Sequence, residues 1–200
     1  MCSPPPREAS DQDALWRALE LGDLQTISSD HAPYAFDATG KLRAGPNPNF
    51  KRVANGLPSI ELRMPLLFDA MVSLGRLGIE KFVELTATAP ARIYSLAPRK
   101  GSIAIGADAD ITIWDPERDV LLSDTMMHDS TGYSPYSGRR LRGWPETVLV
   151  RGATVIDKGA FNGRAGSGKF LARAVGCSAA RGGRLEPEMD PARNFGAKLF

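Results

Sequence analysis

Histidine is nearly absent: His31 and His128 are the only two among 200 residues. Two imidazoles cannot build a histidine-rich metal cluster, so metal chemistry resting on this chain alone would need other donors. Cysteine is equally scarce. Cys2 and Cys177 stand far apart and form no C-x-x-C pair, which argues against a disulfide framework or a zinc finger and fits a reducing compartment. Neither charge sign is in excess: 25 Lys and Arg against 23 Asp and Glu leave a net +2. A dedicated nucleic-acid surface needs a concentrated basic patch. The mildly basic stretch around Arg173, Arg181 and Arg184 reads instead as solubility or contact surface. No apolar run is long enough to span a bilayer. The polar, proline-rich start, Met1-Cys2-Ser3-Pro4-Pro5-Pro6-Arg7-Glu8, has no apolar signal-peptide core. These absences point to a cytoplasmic chain with neither a nucleic-acid nor a membrane partner. What is present is an apolar fraction of 42%, enough core for one ordinary domain or two small ones.

The chemistry-bearing stretch is Leu24-Gln25-Thr26-Ile27-Ser28-Ser29-Asp30-His31-Ala32-Pro33-Tyr34. A helix capped by Asp11 or Asp13 is expected to run to about Leu21, with Leu15, Trp16, Ala18 and Leu19 on its apolar face and Gly22 as its left-handed stop. A short buried strand over 24–27 follows, a rhythm that suits an α/β layer or barrel. Residues 31–60 carry too many glycines and prolines for a regular element, and a long loop after a strand is often functional. Helices are expected over 61–74 (with Pro65 in the first turn), 79–85 and 89–96. From Gly101 the period changes to alternation: Ile103, Ile105, Ile111 and Ile113 read as strand, and Trp114-Asp115-Pro116 closes it. Residues 120–122 could form another strand. Residues 147–150 and 154–156 flank Arg151-Gly152 as a hairpin. This places a domain boundary near Pro98-Arg99-Lys100. Residues 157–200 lose periodicity and read as an extended tail, with one short helix around 170–175.

An Asp at the C-terminal mouth of a barrel strand points into the face where such enzymes hold their sites, and there it can ligate a metal or take a proton from water. The plainer reading is that Asp30 caps the loop and His31 packs under Tyr34. Gly163-Arg164-Ala165-Gly166-Ser167-Gly168-Lys169-Phe170 nearly matches a phosphate-binding loop, but Phe170 stands where a magnesium-holding hydroxyl is needed. It reads as a glycine turn. Asp108-Ala109-Asp110 begins like a calcium loop without its glycine or distal glutamate, and reads as turn residues. His128-Asp129 reads as surface loop.

Several stretches, in their order, resemble one family. They are Ser3-Pro4-Pro5-Pro6-Arg7, Asp13-Ala14-Leu15-Trp16, Ser29-Asp30-His31-Ala32-Pro33-Tyr34, Ala54-Asn55-Gly56-Leu57-Pro58, Glu61-Leu62-Arg63-Met64-Pro65-Leu66-Leu67 and the run from Arg99 to Asp110. Phe170-Leu171-Ala172-Arg173 resembles the segment that follows. The resemblance is to dihydropyrimidinases and D-hydantoinases of the amidohydrolase superfamily, with the bacterial D-phenylhydantoinases close by. It implies an α/β chain: the C-terminal portion of a (β/α)8 barrel (1–98), part of a small β-sandwich (99–160) and an extended tail (161–200) with a subunit contact. It implies hydrolytic opening of hydantoins or 5,6-dihydropyrimidines by a hydroxide bridging two divalent metals, usually zinc. By resemblance Asp30 is a metal ligand and proton shuttle, and Ser3 and Asn55 are positions whose main-chain groups hold the substrate's amide edge.

The family's other metal ligands, a His-x-His pair, a carboxylated lysine and two further histidines, have no counterpart here. The resemblance therefore implies a segment carrying one ligand of six, inactive alone, whose partners are the missing N-terminal barrel half or other subunits, in a homo-oligomer that is a tetramer in the family. A barrel lacking most strands has open edges and an exposed apolar interior, so the isolated chain is expected to aggregate or to depend on a partner. The alternative is a non-catalytic, structural or assembly homologue of dihydropyrimidinase.

Overall fold

The computed structural model describes residues 1–173. The first helix, α1, is Ala9–Leu21. Its cap is Glu8, not Asp11 or Asp13: the Glu8 side chain takes an N–H of the first turn, and the Asp11 carboxylate accepts from Glu8 N at 3.3 Å. Asp11 thus serves the reciprocal half of a capping box. Gly22 stops the helix at φ 85°, as its position predicts, with its N–H donating to Leu19 O. Residues 24–27 form no strand. A strand exists only as part of a ladder, and no described segment lies beside this one to pair with it. Ile27 nonetheless packs on the helical core, while Leu24 stays exposed.

Helix α2 is Ile60–Phe68, continued by a π-helical turn, Asp69–Ser73. Pro65 lies buried in the second turn rather than the first. The two helices expected over 79–85 and 89–96 are one run: α3, Gly78–Val83, a π-turn, Glu84–Thr88, and α4, Ala89–Ile93. Pro90 sits at the start of α4. It has no N–H for the Thr86 carbonyl, and the wider turn lies just before it.

Four strands make one antiparallel sheet in the order β1 (Ile111–Leu121), β2 (Arg140–Val150), β3 (Ala153–Asp157) and β4 (Ala160–Phe161). The predicted Arg151-Gly152 hairpin is present, with φ of 50° and 79° at the two turn residues. Trp114-Asp115-Pro116 does not close a strand. The register slips between Asp115 and Asp119, and β1 continues to Leu121, absorbing residues 120–121. Pro116 has no donor for the ladder, so the chain bulges there and resumes. Ile103 and Ile105 lie outside any strand and are exposed. Their alternation with small residues is that of a loop.

Helix α2 has core on both sides. On one side Phe68, Met71, Phe82, Leu85 and Leu19 form a buried cluster. On the other Leu62 meets Val120, Leu122 and Leu141 from the sheet. The joint between them is aromatic: Phe68 stacks on Trp114 at 4.3 Å between ring centroids, and Phe82 stands edge-on to both. Gly143 of β2 is what lets the sheet close on this ring. A Cβ there would lie 2.3 Å from Phe68 Cδ1. Buried Asp69 accepts from Arg142 N at 2.9 Å, and Ser73 Oγ donates to Arg142 O at 2.7 Å. Both main-chain groups of Arg142 are thereby satisfied by the helix end.

A charged clasp joins the segment after α4 to the β2–β3 turn. Lys100 Nζ lies 2.9 Å from Asp108 Oδ2 and also pairs with Asp110, while Arg99 Nε lies 2.9 Å from Asp108. Asp110 Oδ1 accepts from Arg151 N at 2.7 Å. Both carboxylates are thus engaged by cations and a backbone N–H, as turn residues and not as a calcium loop. The Lys100 hydrogen bond holds the Asp108 carboxyl below the ordinary aspartate range. Burial pushes the Asp110 carboxyl up, but Lys100 and the Arg151 N–H outweigh it and hold it down. Hydrogen bonds to Asp110 and then Asp108 hold the Lys100 ammonium above the ordinary lysine range. Depressed carboxylates favour the folded state above their unfolded pKa and lose that contribution as pH falls through the folded value. A raised lysine contributes fully below its unfolded pKa and loses the contribution as pH rises through the folded value. The clasp is therefore tightest between roughly pH 4 and pH 10. Hydrogen exchange at Arg151 N–H, corrected for its intrinsic rate, is expected to be slowest in that window and to speed up below it. A pH-independent protection factor would contradict this.

Among the described residues, no helix is long and apolar enough to cross a membrane.

Candidate functional site

The three residues singled out by sequence are all exposed: Ser3, Asp30 and Asn55. Their backbones are brought into one neighbourhood from chain positions up to about fifty residues apart. Gly56 N, next to Asn55, donates to Met1 O at 3.2 Å, and Ala32 N donates to Leu57 O at 3.2 Å. The Asp30 segment and the Met1–Ser3 segment thus both lean on residues 54–57.

Asp30 itself has left-handed backbone, φ 45°. L-residues avoid this region, and Asp is among the few that tolerate it. Its neighbours hold it there. Ser29 O accepts from Ser59 Oγ at 3.2 Å. On the other side His31 Nδ1 accepts from Ser59 N at 3.0 Å and from Ile60 N at 3.2 Å. His31 is therefore a helix cap. The plainer expectation placed His31 under Tyr34; its ring instead satisfies two N–H groups at the start of α2. For Nδ1 to accept, the ring must carry its proton on Nε2. Asp30 lies between two anchored residues on a strained backbone with its carboxylate toward solvent. Strain held in place by surrounding bonds marks a position worth testing for function.

Gly56 makes the close approach possible. Its φ is 143°, and a Cβ there would lie 2.4 Å from Ala32 Cβ and 2.6 Å from Ala32 O. Gly56→Ala is expected to destabilise the chain by about 2 kcal/mol through backbone strain and overlap, and to part residues 54–57 from Asp30-His31. Urea denaturation measures the first effect, and loss of Ala32 N–H exchange protection the second. An unchanged midpoint with unchanged protection would refute the close approach.

One residue of this neighbourhood carries no signal in the sequence. Lys41 is buried, with 2% of its surface exposed. Its Nζ donates to Ala54 O at 2.9 Å and to Met1 O at 3.3 Å, and lies 5.9 Å from the Tyr34 ring centre. Burial pushes its ammonium below the ordinary lysine range, with Cys2 opposing. Lys41 is set in place by an Asp37 turn, whose carboxylate accepts from Thr39 N and Oγ1 at 2.7 Å each and from Gly40 N at 3.2 Å. In sequence it is one basic residue in a glycine-rich loop, and only the fold reveals that it binds two distant carbonyls.

The remaining candidates separate from this site. The Glu61 carboxylate accepts from His128 N at 2.9 Å and pairs with Nδ1 at 2.7 Å, a surface contact between loop and helix. No helix follows residues 163–169 over the described residues 170–173, and Ser167 O accepts from Arg151 Nη2 at 2.6 Å, so these residues do not form a phosphate cradle. The helix expected around 170–175 is absent over 170–173, and its remainder lies outside the described residues, as do Cys177, Arg181 and Arg184. Among the described residues, no group of three or more His, Cys, Asp or Glu is placed to hold a metal ion. A tight divalent-metal site needs three or four donors, and Asp30 alone does not make one.

The profile of the Amidohydrolase family matches residues 3–155. A D-hydantoinase from Ralstonia pickettii is 42% identical over 171 residues, which are 86% of this chain and 36% of that protein. A D-phenylhydantoinase from Escherichia coli O1:K1 is 39% identical over the same length. Among solved structures, the dihydropyrimidinase from Brevibacillus agri NCHU1002 matches with a TM-score of 0.83 at 39% identity, over 88% of this chain and 38% of that one. The L-hydantoinase from Arthrobacter aurescens matches with 0.78 at 31% identity. The chain spans little more than a third of the length of the relatives it matches.

Proposed function

The chain belongs to the amidohydrolase family, and from that premise we propose that it forms the C-terminal part of a hydrolase that opens cyclic amides, either hydantoins or 5,6-dihydropyrimidines. The carrying observation is Asp30. Its carboxylate is exposed, its backbone is left-handed, and Ser29 and His31 are bonded to the start of α2 on either side of it.

Ring opening needs water to attack the amide carbonyl and the leaving nitrogen to gain a proton. Asp30 takes the proton from the attacking water and delivers it to that nitrogen. Backbone groups at Ser3 and Asn55 hold the amide edge of the substrate. The Gly56 N to Met1 O bond and the Lys41 contacts keep those two strips side by side. Family members are generally metal-dependent, but the donors among the described residues do not fit a divalent pair such as two zinc ions. We therefore assign no metal-borne step to this chain. The other donors come from an accompanying barrel polypeptide.

In this reading residues 1–98 end a (β/α)8 barrel, 99–160 are part of a β-sandwich, and 161–200 extend as a tail toward another subunit of a cytoplasmic homo-oligomer. The test is complementation. The chain is co-expressed with the N-terminal portion of a D-hydantoinase, and opening of dihydrouracil and hydantoin is followed. The chain alone is expected to be silent and the complex active. A folded, metal-loaded complex that opens neither ring would overturn the proposal.

A second reading, a non-catalytic assembly protein, draws on the exposed Ile103 and Ile105. Light scattering of the purified chain decides it: a stable monomer with no partner would remove it.

A further inference from the structure

Behind the Ser28-Ser29 segment lies a cleft of about 210 Å³ that the reaction does not use, lined by Ser28, Ser29, Ser59, Arg63 and Tyr136 over a floor that includes Leu66. Arg63 is its distinctive group. Its Nε is buried without a hydrogen-bond partner, and no carboxylate among the described residues pairs with its guanidinium. A guanidinium keeps its charge in proteins and presents donors in a planar fork. Arg63 as a whole is half-buried, but leaving its Nε dry and unpaired is costly. Ser59 is internally settled: its Oγ is given to Ser29 O, and its N–H, with that of Ile60, to His31. What the cleft lacks is an acceptor, and it has room for one.

We propose that this cleft is a carboxylate-binding site, with Arg63 as the cationic fork and the Ser28 and Tyr136 hydroxyls as supplementary donors. A carboxylate matches a guanidinium bidentately, and the apolar floor, which includes Leu66, suits a small acid or the stem of an Asp or Glu side chain. The two sources share one chemistry: a free carboxylic acid, or an acidic side chain of an accompanying polypeptide. The site does not depend on the assignment of the reaction. Arg63 lies on α2, in the turn after the His31 cap, and Asp30 takes no part in it.

The test is arginine-specific labelling of the 200-residue chain, kept dilute and first shown folded by circular dichroism, with phenylglyoxal, read peptide by peptide by mass spectrometry, with exposed Arg92 as the internal control. Sodium acetate is the probe and acetamide its neutral counterpart, at constant ionic strength. Labelling of Arg63 is expected to slow by roughly tenfold once acetate stands at about ten times its dissociation constant, with Arg92 unaffected and acetamide without effect. Tyr136→Phe is expected to weaken the protection, and urea to abolish it. If acetate protects Arg63 no better than Arg92, or acetamide protects it equally, the proposal fails. Adding the N-terminal portion of a hydantoinase then identifies the source. Protection without acetate assigns the site to a side chain of that polypeptide, and unchanged labelling assigns it to a small acid.

Discussion

Asp30→Asn in the complemented enzyme is expected to lower kcat by about 10² to 10⁴, the range for losing a positioned proton-transfer group, with KM little changed. At 1.36 kcal/mol per tenfold, this is about 3 to 5 kcal/mol of barrier. The choice of asparagine matters. Position 30 has φ 45°, and alanine there would add about 1 kcal/mol or more of backbone strain on top of the chemical loss. Asparagine tolerates the same conformation and has nearly the same shape, so it removes the proton acceptor and little else. Steady-state kinetics on dihydrouracil separate the two parameters. A variant with unimpaired kcat would mean that Asp30 is held in its strained pose for another reason.

Phe68→Ala is expected to have the largest effect on stability, about 3 to 5 kcal/mol. Phe68 is 3% exposed, stacks on Trp114, meets Phe82 edge-on and fills the space that Gly143 leaves on β2. Removing the ring opens a cavity touched by helix and sheet at once, and collapse into it is restricted because Asp69 and Ser73 pin the adjacent turn to Arg142. A whole-domain stability of about 5 to 15 kcal/mol leaves little margin for such a loss. Guanidinium denaturation measures it. A shift below about 1 kcal/mol would show that the aromatic joint relaxes freely.

The parts of the fold written in local sequence were readable. Gly22 follows an apolar-faced helix and stops it, and Arg151-Gly152 between two β-branched runs makes a hairpin. The family resemblance was readable from ordered motifs, and it selected Asp30 out of several isolated acids. The missed features depend on distant parts of the chain. Residues 24–27 have strand composition but no neighbour to pair with. Pro116 looks like a terminator, yet β2 carries β1 past it on the far side of a bulge. Ile103 and Ile105 alternate without a ladder. His31 owes its role to Ser59 and Ile60, 28 and 29 residues away, and Lys41 owes its role to Met1 and Ala54, 40 and 13 residues away. No window of ten or fifteen residues contains those pairs.

Helix α2 lies between two cores, with Phe68 in one and Leu62 in the other. It therefore acts as a party wall: neither room can be rebuilt without moving it. Substitutions at Leu62 and Phe68, although on opposite sides, are expected to be energetically coupled, so that the double mutant departs from the sum of the singles by about 0.5 kcal/mol or more. The same wall begins at Ser59 and Ile60, which His31 holds beside Asp30. Sheet packing some distance from Asp30 thus sets where its carboxylate stands.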